Sequence, residues 1–151
     1  MFHVKQYDSI SEVNDLGQPV GFKVLDWQPR KLPDRSPMTG RYCRVEPLDP
    51  ATHLEGLWAG IQLDPRGFNW TYSPPDKPDT IEELRALLEK NAAGTDPFFH
   101  AIVDLESGDA VGWATFMRMQ PEVGVIEVGN IHYSPRLQRK PAGTEAMYLM
   151  M

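Results

Sequence analysis

The sequence has a single cysteine, Cys43, in its 151 residues. An internal disulfide is therefore excluded, and a reducing compartment, the cytoplasm, is favoured. Cys43 falls in a strand pattern and reads as a small core residue rather than a nucleophile. No apolar run reaches the roughly 20 residues a bilayer span needs. The opening MFHVKQYDSISEV lacks the apolar stretch of a signal peptide, so no membrane partner is expected. Positive charge is also short: 15 Lys and Arg against 21 Asp and Glu leave a net charge of −6. That balance argues against general nucleic-acid binding, which is driven by counterion release at a basic surface. The histidines and Cys43 show no metal-ligand spacing, so no metal is expected. No serine–histidine–acid order, repeat or low-complexity segment stands out. What remains, 41% hydrophobic and 24% charged residues, is ordinary composition for one globular domain.

The most informative stretch is VGVIEVGNIHYSPRLQRKPAGT, residues 123–144. Val123 to Tyr133 alternates at strand period with apolar residues on both sides, which predicts a strand in the middle of a sheet. One carboxylate, Glu127, lies inside it. Arg136, Gln138, Arg139 and Lys140 follow, with no acid until Glu145. Gly143-Thr144 then opens a helical run. A basic loop feeding a helix N-terminus suits a phosphate, because free N–H groups, the helix dipole and side-chain cations converge there.

Gln138-Arg139-Lys140-Pro141-Ala142-Gly143 resembles the Gln-x-x-Gly-x-Gly/Ala acyl-CoA-binding motif of the GNAT superfamily of N-acetyltransferases. Gln138 and Gly143 match, and Pro141 stands where the first glycine is expected. Ile126-Glu127-Val128-Gly129 and Thr144-Glu145-Ala146 look like the flanks found in the branch that acetylates ribosomal-protein N-termini. Gly40 to Leu48 resembles the family's first strand. The resemblance implies an α+β, GNAT-like acyl-CoA N-acyltransferase fold: an antiparallel meander with flanking helices. The family normally continues with another strand, another helix and closing strands, whereas this sequence ends at Met151. The resemblance thus implies that the C-terminal strands and helix are missing. An open sheet edge is expected, covered by the rest of a longer chain, by a second copy or another chain, or by a segment swap.

Residues 1–39 read as an extended Pro/Gly-rich arm, and residues 40–151 as the GNAT-like domain, incomplete at its C-terminus. Phe22, Val24, Leu25 and Trp27 give the arm apolar surface to bury, and Arg30, Lys31 and Arg35 form a solvated basic face. Gly40 to Pro47 predicts the first strand. Asp49-Pro50 is a helix start, with Leu54, Leu57, Trp58 and Ile61 as its core stripe and Asp64-Pro65 as its end. His53 lies off that stripe and reads as a surface residue. Arg66 to Asp79 is a long proline-rich loop, and its aromatics either border a binding site or plug the core. Thr80 and Glu83 form a capping box for a second helix with Ile81, Leu84, Leu87 and Leu88 buried. Phe98 to Leu105 and Ala110 to Gln120 predict an antiparallel pair. Val111, Trp113, Thr115 and Met117 share one face of the second strand, and His100 reads as a core histidine.

The activity implied by the resemblance is acetyl transfer from acetyl-CoA to a primary amine, a peptide N-terminus or a small amine. A backbone N–H near Ile131, His132 and Tyr133 would polarise the thioester carbonyl, as an oxyanion hole does. Gln138, Arg139, Lys140, Ala142, Gly143 and Thr144 would anchor the pyrophosphate, with Pro141 unable to donate. By analogy Trp70 and Tyr72 contact the acceptor. Glu127 is the general-base candidate, its pKa expected above the usual ~4.3 by burial; the alternative is an ion pair with Arg118. His132 is a second base candidate, which the pleat would place on the opposite side from Glu127. The other reading is a truncated or non-catalytic unit of this kind that binds CoA weakly or serves as a protein-interaction module.

Overall fold

The structure is a computed structural model that describes residues 12–21, 23–73 and 75–151. A small hairpin, β1 (Glu12–Val13) with β2 (Pro19–Val20), precedes a five-stranded antiparallel sheet. The sheet runs β3 (Met38–Thr39), β4 (Cys43–Pro47), β5 (Phe98–Asp104), β6 (Ala110–Gln120) and β7 (Val125–Tyr133), each strand beside the next. Helices α1 (Pro50–Gln62) and α2 (Ile81–Ala92) cover one face, and α3 (Pro141–Leu149) covers the other.

Local chemistry accounts for the helix starts. The Asp49 side chain accepts the Ala51 N–H at 3.0 Å, and Pro50 occupies the first helical position, where its missing N–H costs nothing. Thr80 accepts the Glu83 N–H at 3.2 Å, while Glu83 reaches back one residue further than a capping box requires, to the Asp79 N–H at 2.8 Å. On the α1/α2 face, Leu54, Leu57 and Ile61 meet Leu84, Leu88, Phe99 and Trp113. On the α3 face, Cys43, Val45, Ile102, Phe116, Leu137 and Ala146 form a second core.

Several expectations are corrected. The first strand of the domain begins at Cys43 rather than Gly40. The centre of the sheet belongs to β5 and β6, both buried on two faces, whereas β7 is an edge strand among the described residues. Val125, Ile126 and Ile131 are roughly half exposed on it. Apolar residues on both sides of a strand record that neither face is strongly polar; they do not record how many neighbours the strand has. Val111 departs from the Trp113 face because a β-bulge stands there: Ile102 pairs with Gly112 and Val103 with Ala110, leaving Val111 extra. Its side chain joins the α3-side core while Trp113 joins the other.

His53 is buried, not surface-exposed. Its Nε2 meets Glu46 Oε1 at 2.9 Å, and its Nδ1 accepts the Asp49 N–H at 3.0 Å. In the arm, Val24 and Leu25 are exposed, residues 1–11 and Phe22 lie outside the described residues, and of the four apolar residues named Trp27 packs down. Its ring lies against Gly124 and its Nε1–H donates to the Glu122 carbonyl, while the Arg30 N–H donates to Pro121 O at 2.9 Å. Arg30 and Arg35 are not a purely solvated face: each guanidinium sits 4.5 Å from a ring centroid, Trp27 and Phe98 respectively. No helix among the described residues is long and apolar enough to cross a membrane.

Candidate functional site

Strand β7 organises the site, and a second bulge shapes it. Thr115 pairs with Gly129 and Trp113 with His132, so Asn130 and Ile131 together face Ala114. Asn130 takes φ +46°, a left-handed conformation that asparagine tolerates better than most residues. The extra residue resets the alternation. Met117 pairs with Glu127, Thr115 with Gly129 and Trp113 with His132, and directly opposed residues share a face. Glu127 and His132 therefore lie on the same side of β7, where the unbroken pleat had placed them on opposite sides.

Glu127 does not occupy the buried setting expected of it. Its side chain is 43% exposed and pairs with Arg118 Nη1 at 3.0 Å, the alternative the sequence had left open. His132 is buried between two indoles. It stacks on Trp113 with centroids 4.3 Å apart and leans on Trp70 at 4.6 Å. Loss of hydration pushes its pKa down to about 4, and the nearby Asp64 carboxylate offsets only part of this.

Trp70 lies in a short 3-10 turn, Phe68–Trp70. Trp70 is buried against Trp113, while Tyr72 is 97% exposed. The turn is held by Asp64, whose carboxylate accepts the N–H groups of Phe68 at 3.0 Å and Asn69 at 2.9 Å. Trp70, Tyr72, Trp113, Asn130, Ile131 and His132 border one cleft of about 460 Å³.

Beyond β7, the Ser134 carbonyl accepts the N–H groups of Leu137 at 2.9 Å and Gln138 at 3.1 Å, closing a tight turn. Leu137 is fully buried and anchors the loop. The Gln138 amide donates to Asn69 Oδ1 and to the Tyr133 carbonyl, both at 2.9 Å, so its side chain ties the loop to the aromatic turn. Arg139 adopts φ +59°, a strained value for a residue that carries a Cβ. Helix α3 starts two residues before the expected Gly143, because Pro141 suits the first helical position. No side chain among the described residues caps it. The Gly143 N–H is taken by the Lys140 carbonyl at 3.1 Å, and the Tyr133 hydroxyl donates to Gly143 O at 2.7 Å.

The sequence-predicted residues thus separate. Tyr133, Arg139, Lys140, Gly143 and Thr144 line an open trough of about 780 Å³ along α3. Trp70, Tyr72, Ile131 and His132 line the aromatic cleft. Ala142 faces a third depression with Arg41, Arg136 and Lys140. Glu127 borders none of these, and Gln138 bridges the loop and the aromatic turn. Sequence reasoning missed Glu145. Its carboxylate accepts three consecutive N–H groups, Arg41 at 2.7 Å, Tyr42 at 2.6 Å and Cys43 at 2.9 Å. Although desolvation opposes ionisation, these three donors and the Cys43 thiol hold its pKa below the ordinary value. The Cys43 thiol, desolvated and beside that carboxylate, is pushed up to about 12, in keeping with a core cysteine. The only sequence signal for Glu145 was its place as the first acid after a basic loop.

No protein-family model and no curated protein matches this chain. Solved structures do. A GCN5-related N-acetyltransferase from Brucella melitensis superposes with a TM-score of 0.80 at 37% identity, over 83% of this chain and 57% of that one. A probable GNAT-family acetyltransferase from Chromobacterium violaceum ATCC 12472 gives a TM-score of 0.74 at 22% identity, over 88% and 66%. A GNAT-family acetyltransferase from Bacillus anthracis gives 0.59 at 16% identity, over 76% and 63%. This chain thus spans a little over half the length of the Brucella protein. Over the stretch they share, it has the fold of the GNAT acetyltransferases.

Proposed function

We propose that this chain carries out, or forms part of, acetyl transfer from acetyl-CoA to a primary amine, a peptide N-terminus or a small amine. The observation that carries this reading is the double service of β7. Its bulged middle borders the aromatic cleft, and its end leads into the cationic loop and the uncapped start of α3. Acetyl-CoA would supply a thioester whose carbonyl carbon the amine nitrogen attacks and whose thiolate leaves with a proton. The residues present fit it in part. Arg139, Lys140 and the first turn of α3 suit a pyrophosphate, while Pro141 has no N–H and that of Gly143 is already engaged. The bulge takes Ile131 out of the ladder, which makes a main-chain N–H in the segment Ile131 to Tyr133 the proposed donor to the carbonyl oxygen.

For the amine proton, His132 with a pKa of about 4 is a poor acceptor at neutral pH. Glu127, on the same face and in contact with water, is the proposed base, acting through a water. Ile126 to Gly129 and Thr144 to Ala146 favour the ribosomal-protein N-terminal branch. The test is calorimetric titration of acetyl-CoA into the protein and into Arg139→Ala/Lys140→Ala. Binding that weakens in the double variant is expected; equal binding by both would overturn the assignment of the loop.

The exposed apolar edge of β7 favours a second reading, a non-catalytic module whose edge pairs with a strand of another chain or a second copy. Acetyl-CoA binding without turnover on any amine would select it.

A further inference from the structure

The wall of the aromatic cleft carries information about what it admits. Trp70, Trp113, Phe99 and Leu87 supply apolar surface, and the polar positions are Asn91, Asn130, Ser73 and the His132 ring. Among the described residues, no Asp, Glu, Lys or Arg lines it. This is unusual for a chain with 36 such residues, 15 basic and 21 acidic. A volume of about 460 Å³ is that of a small-molecule site.

From this wall, and resting on the transferase reading above, we infer that the acceptor is a monoamine on a flat, uncharged, apolar or aromatic body. Polyamines, aminoglycosides and other acceptors with a second ammonium group are excluded. A second ammonium inside the cleft would lose hydration and find no carboxylate, a cost that an apolar wall cannot offset. An aromatic body instead gains edge and face contacts with the two indoles, which already hold the His132 ring between them. The low pKa of His132 agrees with this, since the wall stays uncharged at neutral pH. Tyr72, fully out in solvent at the mouth, is free to turn onto the bound ring.

Two measurements on the whole chain separate this inference from the reading it rests on. Direct calorimetry of 2-phenylethylamine and of spermidine, without cofactor, tests the cleft alone. The titration of acetyl-CoA tests the loop alone. We expect 2-phenylethylamine to bind at least about tenfold more tightly than spermidine, the order expected for an unpaired charge against an aromatic contact. Tyr72→Ala, at an exposed position, should weaken it by about fivefold, the scale of one aromatic contact. Asn91→Asp places a carboxylate in the wall and should shift the preference toward spermidine. Equal or tighter binding of spermidine by the unaltered protein would overturn the inference even where acetyl-CoA binds normally. Loss of acetyl-CoA binding with the amine preference intact would overturn only the transferase reading. A preference unmoved by Asn91→Asp would show that another surface does the selecting, and would sink the inference as well.

Discussion

Two histidines make this fold acid-sensitive in a way that can be worked through. His100 and His132 are both buried, 0% and 5% exposed, and desolvation lowers each pKa to about 4 from 6.5. For His100 the Phe98 carbonyl opposes that shift and the Arg35 charge adds to it; for His132 the Asp64 carboxylate opposes it. Each folded-state pKa lies below its unfolded value, so between pH 6.5 and 4 the unfolded chain binds more protons than the folded one. Stability is then undiminished above pH 6.5, falls as pH drops through that window, and reaches its full loss below about 4. At pH 5 linkage gives a loss of about 2 kcal/mol per histidine, about 4 kcal/mol for the pair. Against a usual total of about 5–15 kcal/mol that is a large fraction. For a chain of this length it corresponds to a fall in Tm of roughly 8–16 °C. The lowered carboxylate pKa values of Glu46 and Glu145 act in the same direction but at lower pH, since their stabilisation is lost only as they protonate. Thermal melts followed by circular dichroism at pH 7.5 and pH 5.0 provide the assay. His100→Phe/His132→Phe keeps an aromatic ring at both sites and should remove most of the difference. An unaltered protein equally stable at the two pH values, or a double variant that loses as much as the parent, would refute the reasoning.

Three other perturbations have defined outcomes. Glu145→Ala removes the common acceptor of three N–H groups, so amide exchange at Arg41, Tyr42 and Cys43 should accelerate, as read by hydrogen-exchange mass spectrometry, while exchange within α2 stays unchanged. Gly143→Ala would put a methyl 2.9 Å from a Tyr133 ring carbon and 3.2 Å from Leu137 O. We expect a cost of about 1–3 kcal/mol in denaturant unfolding, because α3 must move off the strand. Arg139→Gly should act in opposite directions on two readouts: relief of the left-handed φ of +59° stabilises the fold by up to about 1 kcal/mol, while loss of the cation weakens acetyl-CoA binding.

What the sequence made legible were features encoded within a few residues. Asp49-Pro50 and Thr80 with Glu83 announced both long helices, and the turn at Gly108 separated β5 from β6, because a cap or a turn is a local contact. The edge position of β7 was not legible in its strand period, which carries no record of neighbours; an open edge was expected only from the family resemblance. Neither were the bulges at Val111 and Asn130, each a single extra residue that flips every later side chain across the sheet. The Asn130 bulge decides whether Glu127 and His132 can serve one side of the strand, so their relative side was misread where the backbone departs from regularity. His53 was misjudged because its burial depends on Glu46 in a neighbouring strand, and Glu145 was missed because its partners lie over 100 residues away.

The tethers of the loop after β7 lead to a mechanical consequence. Leu137 is sunk in the α3-side core, Gln138 reaches Asn69 and the Tyr133 carbonyl, Tyr133 holds Gly143, and Glu145 ties α3 to residues 41–43. Of β7 itself these contacts use Tyr133, its last residue. The aromatic cleft does share that strand: its walls come from the 3-10 turn, the end of α2 and the inner strands, and from Asn130, Ile131 and His132 of β7 itself. The cationic loop is therefore set by residues within this chain, whereas Ile131, which lines the cleft, lies on a strand that has no outer neighbour among the described residues, with its side chain 45% exposed. Binding and turnover should then separate. If pairing of the β7 edge is needed to fix the segment proposed to face the carbonyl, this chain alone would bind acetyl-CoA yet transfer slowly. A strand peptide or second chain that pairs with β7 would raise the turnover number and leave the acetyl-CoA binding constant nearly unchanged. A partner that instead tightened cofactor binding by orders of magnitude would mean that the loop is not set by the tethers described here.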